Sequence, residues 1–210
     1  MTNGQLGSLH ASPDAAPRSP SARFDVIAIA SSAGGLAALT KVLSSIGASF
    51  PASILVVQHL DPRHESLMAD ILSRRTELVV TQAEAGATIE TGTVYIAPPD
   101  KHLLANHDGT LSLTQSELVH FVRPSADLLF ESVAAAFRER AIAVVLTGSG
   151  RDGAMGVVAI KKMGGTVIAQ DESSSEFFAM PSAAIETGQV DFVLPIDEIP
   201  GALVSLTVGT

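Results

Sequence analysis

The stretch FDVIAIASSAGGLAAL, residues 24–39, decides the fold. Residues 25–30 are too apolar to face water on either side. A run of that kind fits a central parallel strand covered on both faces. Ser31, Ser32, Ala33, Gly34 and Gly35 follow as a turn. Leu36, Leu39, Leu43 and Ile46 then recur at helical spacing, which predicts a helix with that face on the core. A sharp strand-to-helix turn lifts a side chain to the C-terminal edge of the sheet. It also aims the unbonded N–H groups of the helix start at the same place. A serine there is placed for nucleophilic attack, with donors beside it for an anion.

Moving outward, the same pattern repeats. Residues 54–57 form an apolar strand ending in Gln58 and His59, and Asp61 and Pro62 stop it. A helix is expected next, with Leu67, Met68, Ile71 and Leu72 on one face. Residues 77–82 and 94–97 are further strands, and Pro98 and Pro99 end the second. HLLANHDGTLSLT, from His102, reads as a hairpin turning near Asp108 and Gly109. Ser125 is a plausible N-cap of a helix running to about Arg138. Residues 141–146 are a buried strand, and TGSGRDGAMG, residues 147–156, is a second glycine-rich junction into a helix. Shorter strands at 166–169 and 190–193 and helices at 180–187 and 196–206 complete the chain. Strands apolar on both faces, alternating with helices, predict a doubly wound, mostly parallel α/β sheet. It has helices on both faces, in a Rossmann-like three-layer arrangement, and an antiparallel hairpin extension. Residues 1–22 are rich in Ser, Ala and Pro without periodicity and read as a disordered tail, with one domain from 23 to 210.

Composition narrows the function. The chain of 210 residues carries 13 basic and 22 acidic side chains, a net charge of −9. That opposes nucleic-acid binding, which needs clustered Lys and Arg. With no cysteine there is no disulfide, thiolate metal site or cysteine nucleophile. No apolar run reaches the roughly 18 residues of a membrane span, so no membrane insertion is expected. No signal peptide is visible, and a cytoplasmic location is expected.

Ser32, His59 and Asp152 each stand at the C-terminal end of an expected central strand, on the edge where open α/β sheets hold ligands. A serine hydroxyl needs an imidazole to take its proton and a carboxylate to fix the imidazole. Backbone N–H groups at residues 33–35 offer an oxyanion site. Taken singly, such a serine is more often a helix cap, such a histidine a surface side chain, and Asp152 an N-cap. Together on one edge they favour catalysis. Two rival readings have less behind them. The turn lacks GxGxxG spacing, since Ala30 and Ser32 stand where the first two glycines belong. His59 and His64 have no zincin motif around them, so no metal is expected. His10, His64, His102, His107 and His120 read as incidental.

Three segments resemble the signatures of the CheB-type chemotaxis methylesterase catalytic domain. They are IASSAGG (residues 29–35), Gln58-His59, and LTGSGRDGA (residues 146–154). YIAPPDKH (95–102), RPSADLLF (123–130), IAQ (168–170) and Met180-Pro181 agree, in the same order. The resemblance implies hydrolysis of glutamate γ-methyl esters with release of methanol, and deamidation of selected glutamines. The implied partner is the cytoplasmic helical domain of methyl-accepting chemotaxis receptors, or another methylated signalling protein. It implies Ser32 as nucleophile, His59 as general base and then acid, and Asp152 as orienting carboxylate. Ser31 becomes a supporting hydroxyl, Ala33, Gly34 and Ser149 join the oxyanion surroundings, and no cofactor is implied. Two places differ from the family pattern. Ala33 stands where Thr is frequent, and Ser149-Gly150-Arg151 where Met-Gly-Asn is frequent. Regulated members carry an N-terminal receiver domain. Residues 1–22 fall short of the about 50 residues a domain needs, so a catalytic domain without receiver or cis phosphorylation control is expected. Other expectations open to test are a non-catalytic regulatory member and a small-molecule esterase on the same scaffold.

Overall fold

The computed structural model describes residues 25–59 and 66–208. The expected tail and His64 lie outside them. Seven strands form one sheet in the order β3-β4-β2-β1-β7-β8-β9. They are β1 (Val26–Ser31), β2 (Ser53–Gln58), β3 (Val79–Gln82), β4 (Thr93–Ile96), β7 (Ala141–Val145), β8 (Thr166–Gln170) and β9 (Phe192–Leu194). Every neighbouring pair is parallel. β5 (His102–Ala105) and β6 (Leu111–Thr114) form the expected antiparallel hairpin. It makes a two-stranded sheet of its own rather than lengthening the parallel one.

Alternation along β1 sorts the two layers. Val26, Ala28 and Ala30 face one core with α3 (Ala126–Phe137), α4 (Ala154–Lys162), α5 (Ala179–Glu186) and the hairpin. Ile27 and Ile29 face the other with α1 (Gly35–Ser44), α2 (Met68–Ser73) and α6 (Ile199–Val208). All six β1 side chains are buried, as the apolar run requires. Burial of a large side chain such as Phe130, fully buried under this sheet, stabilises by about 1.5–3 kcal/mol. At the N-terminal edge, buried Asp25 and Arg140 pair and tie the start of β1 to the start of β7.

The helical faces differ in part from the sequence pattern. On α1 the buried face is Ala38, Leu39, Val42 and Leu43, while Leu36 is exposed. On α2 Met68 and Leu72 are buried, whereas Leu67 and Ile71 are exposed. Each of these helices has the sheet on one side only, which leaves no second layer for the outer leucines to enter.

The chain leaves β1 toward β2, β4 and β3 on one side, and β7, β8 and β9 lie on the other. The loops after β1 and β7 therefore diverge, and the crevice between them is where such sheets bind ligands. Ser32 follows β1, His59 follows β2, and Asp152 follows β7.

Candidate active site

Ser32 opens a tight turn. The Gly35 N–H donates to the Ser32 carbonyl at 2.8 Å. Gly34 has φ 76° and ψ −4°, the left-handed third position of a type II turn, where glycine is preferred. Both peptide planes of the turn are fixed through their carbonyls. The Ser32 carbonyl also accepts from Gln58 Nε2 at 2.7 Å. The Ala33 carbonyl accepts from Thr147 Oγ1 at 3.0 Å. In a trans peptide the N–H points opposite its carbonyl, so the Ala33 and Gly34 N–H groups are held in set directions. Among the described residues neither of them donates a hydrogen bond.

Ser31 and Ser32 have separate duties. Ser31 is buried and donates to Gln58 Oε1 at 2.6 Å. Ser32 is half-buried, and among the described residues its hydroxyl has no hydrogen-bond partner. The register pairs Ser31 with Gln58 at the strand ends, so Ser32 and His59, the residues that follow, leave the sheet side by side. The His59 N–H donates to the Ser31 carbonyl at 3.1 Å, and the Ser32 N–H to the Thr147 carbonyl at 3.0 Å. Gly148 makes this approach possible, because a Cβ there would stand 2.9 Å from Ser32 Cβ and 2.3 Å from Met180 Sδ.

His59 Nε2 and Asp152 Oδ2 are 2.8 Å apart. Neutral His59 then donates its Nε2–H to the carboxylate and keeps its lone pair on Nδ1, the reverse of the familiar serine-protease orientation. Asp152 is buried and accepts three more hydrogen bonds. Ser125 Oγ donates at 2.8 Å, the Ala126 N–H at 2.6 Å and the Asp127 N–H at 3.1 Å. Burial pushes its carboxyl up, but the bonds from His59, Ala126, Ser125 and Asp127 outweigh burial and hold it below the ordinary range. Asp152 is thus a cap, though not of the helix that follows it. It caps α3 from outside, and Ser125, expected to cap α3, donates to Asp152 instead.

A serine beside an imidazole–carboxylate pair, at the switch point of a parallel sheet and next to two N–H groups that donate to none of the described residues, is equipped for acyl transfer. Residues 27–203 match the model of the CheB methylesterase family. The chain belongs to that family. It is 42% identical over 181 residues to a protein-glutamate methylesterase/protein-glutamine glutaminase of Pyrococcus abyssi, covering 85% of this chain and 49% of that protein. A protein of Anaeromyxobacter dehalogenans with that name, numbered 2, is 44% identical over 194 residues, covering 92% of this chain and 56% of the relative. This chain thus spans about half the length of these relatives. The crystal structure of the Thermotoga maritima CheB methylesterase catalytic domain superposes with a TM-score of 0.85 and 38% identity. The match covers 87% of this chain and 98% of that one.

Within this CheB-family domain the three unusual residues bear little on the geometry. Ala33 has no hydroxyl to offer, yet its peptide is held by Thr147. Ser149 is exposed beyond the β7 end. Arg151 turns to Glu186 on α5, 3.5 Å away, with both side chains largely exposed. Among the described residues no three His, Asp or Glu side chains converge as a metal site requires.

Sequence reasoning missed three residues behind Asp152: Ser125, Asp127 and His102. His102, read as incidental, is fully buried. Its Nδ1 accepts from the Ser125 N–H at 3.1 Å and its Nε2–H donates to the Glu117 carbonyl at 3.1 Å. Acceptance at Nδ1 requires the neutral ring, and burial, the largest cause, lowers its pKa. The RPSAD segment contained the signal, but a Ser and an Asp at a helix start read as caps of their own helix.

Proposed function

We propose that this chain is the catalytic domain of a protein-glutamate methylesterase. It would act on glutamate γ-methyl esters of methyl-accepting chemotaxis receptors, on their cytoplasmic helices, and so in the cytoplasm. The carrying observation is the His59–Asp152 hydrogen bond at 2.8 Å, on the edge where the Ser32 hydroxyl has no partner among the described residues. Family membership and the names of the relatives support the substrate class.

Ser32 Oγ attacks the ester carbonyl and His59 Nδ1 takes its proton. The imidazolium is stabilised by Asp152. The Ala33 and Gly34 N–H groups receive the developing oxyanion. Collapse expels methanol, which leaves with the proton from His59, and a glutamyl ester of Ser32 remains. Water, deprotonated by His59, hydrolyses this ester and returns Ser32 with a glutamate carboxylate. A glutamine amide runs the same course with ammonia as leaving group.

The test is methanol release from a methylated receptor fragment, comparing wild type with Ser32→Ala. Release by wild type and its loss in the variant support the reading. No release by wild type overturns the activity, and release surviving Ser32→Ala overturns the nucleophile. Hydrolysis of a free glutamate γ-methyl ester alone, with receptor untouched, overturns the substrate class.

A further inference from the structure

A second carboxylate, unused by this chemistry, lies behind Asp152. Asp127 is buried in the first turn of α3. Its Oδ1 accepts from the Gly153 N–H at 2.9 Å and the Gly156 N–H at 2.8 Å, at the start of α4. Asp152, just before α4, accepts from the first N–H groups of α3. Each aspartate therefore caps the other's helix. The helices meet closely here: a Cβ on Gly156 would stand 2.5 Å from Phe130 Cβ and 3.1 Å from Asp127 Cα. Gly153 has φ 100°, so the turn carrying Asp152 takes a shape that other residues resist.

Three titratable groups face Asp127. Asp152 comes from the β7–α4 loop. His120 Nε2, from the segment before α3, is 3.2 Å from Asp127 Oδ2. Glu131 lies on the same helix, its carboxyl raised by burial and then by the Asp127 charge. Burial is also the largest influence on Asp127 and pushes it up. The Gly156 N–H opposes this, and the Asp152 charge adds to it.

We propose that Asp127 is a positioning residue for the Asp152–His59 pair, its Oδ1 fixing the turn from which Asp152 reaches α3 and His59. This rests on the reading of Ser32, His59 and Asp152 as the reacting groups. Among the described residues no hydrogen bond joins the Asp127 side chain to Ser32 or His59, so it acts through Asp152. It also sets a second negative charge beside that carboxylate.

Two variants separate geometry from charge. Asp127→Asn keeps an oxygen acceptor for the two glycine N–H groups and drops the charge, while Asp127→Ala removes both. For Asp127→Ala, kcat for methanol release falls about tenfold to a hundredfold with KM little changed, the size of effect a misplacement of about 1 Å produces. Asp127→Asn restores kcat to within a few-fold. A mere helix cap would change the melting temperature and leave kcat alone. The proton NMR signal of the His59–Asp152 hydrogen bond is a readout free of substrate. It persists in wild type and Asp127→Asn and broadens or vanishes in Asp127→Ala. A folded Asp127→Ala with wild-type kcat and NMR signal overturns the proposal, as does an Asn variant as impaired as the Ala one. If Asp127→Ala does not fold, loss of that NMR signal in a folded Asp127→Asn overturns it. If wild type releases no methanol, the function falls and the NMR comparison still decides the role of Asp127.

Discussion

Gln58 Nε2 donates to the carbonyl of Ser32 at 2.7 Å while Gln58 Oε1 accepts the Ser31 hydroxyl at 2.6 Å, so one buried amide holds both serines of the turn. Gly35 makes room for it. A Cβ at Gly35 would fall 1.9 Å from Gln58 Oε1 and 2.9 Å from Ser31 Cβ.

Gly35→Ala therefore displaces Gln58 and releases the Ser32–Ala33 peptide. The expected loss in kcat is about a hundredfold or more, the scale of a lost oxyanion donor, with KM less affected. Gly47→Ala is the control, because a Cβ there meets only Glu77 Oε2 at 3.9 Å. Steady-state methanol release on both variants checks it, and equal kcat values would refute this role for Gly35.

Ser125→Ala removes one of the four hydrogen bonds to Asp152 and leaves the two helix N–H groups in place. Hydrogen bonds to charged groups contribute about 1.5–3 kcal/mol, so urea unfolding should show a loss near the low end of that range. With the carboxylate less constrained, kcat falls about tenfold while KM stays. A stability loss with kcat intact would make Ser125 a structural residue alone.

His102 gives a pH dependence of definite sign. Its pKa is lowered from the ordinary 6.5, chiefly by burial. The unfolded chain then binds a proton that the folded chain refuses, so the stabilisation is present above about pH 6.5 and is lost as pH falls below it. His102→Asn keeps a side-chain acceptor for the Ser125 N–H without a group that titrates there. Thermal melts between about pH 5 and 7 should fall with acidity in wild type and run flatter in the variant. Parallel curves would remove His102 as the source.

These residues mark where sequence reading stops. β1, β2, β7 and β8 were legible because apolar runs covered on both faces have no other stable place. The placement of Ser32, His59 and Asp152 on one edge was legible because each follows such a strand. Family membership bears out the resemblance drawn from those same segments. The exposed Leu36, Leu67 and Ile71 were not, since helical spacing reveals a stripe but not how much of it a one-sided neighbour covers. The roles of Ser125, Asp127 and His102 were hidden for another reason. Their partners lie in other segments, with Asp152 26 positions from Ala126 and His102 23 from Ser125.

The reciprocal caps make a last prediction, because Asp127 and Asp152 titrate in opposite senses. Asp152 has a lowered pKa: burial raises it, but its hydrogen bonds prevail. Its stabilisation is present above the ordinary carboxylate value of 3.8 and is lost as pH falls through the lower folded value. Asp127 has a raised pKa, from burial first. Its contribution is present below 3.8 and is lost as pH rises through the higher folded value. Asp152→Asn should thus cost most stability at neutral pH, with the gap to wild type closing in acid. Asp127→Asn keeps the cap and sheds the penalised charge, so it should melt at or above the wild-type temperature at neutral pH and lose that advantage in acid. Calorimetric melts of the three proteins from about pH 3 to 7 measure both gaps. A gap of the same sign and slope for the two variants would show that the carboxylates do not differ in the way their surroundings require.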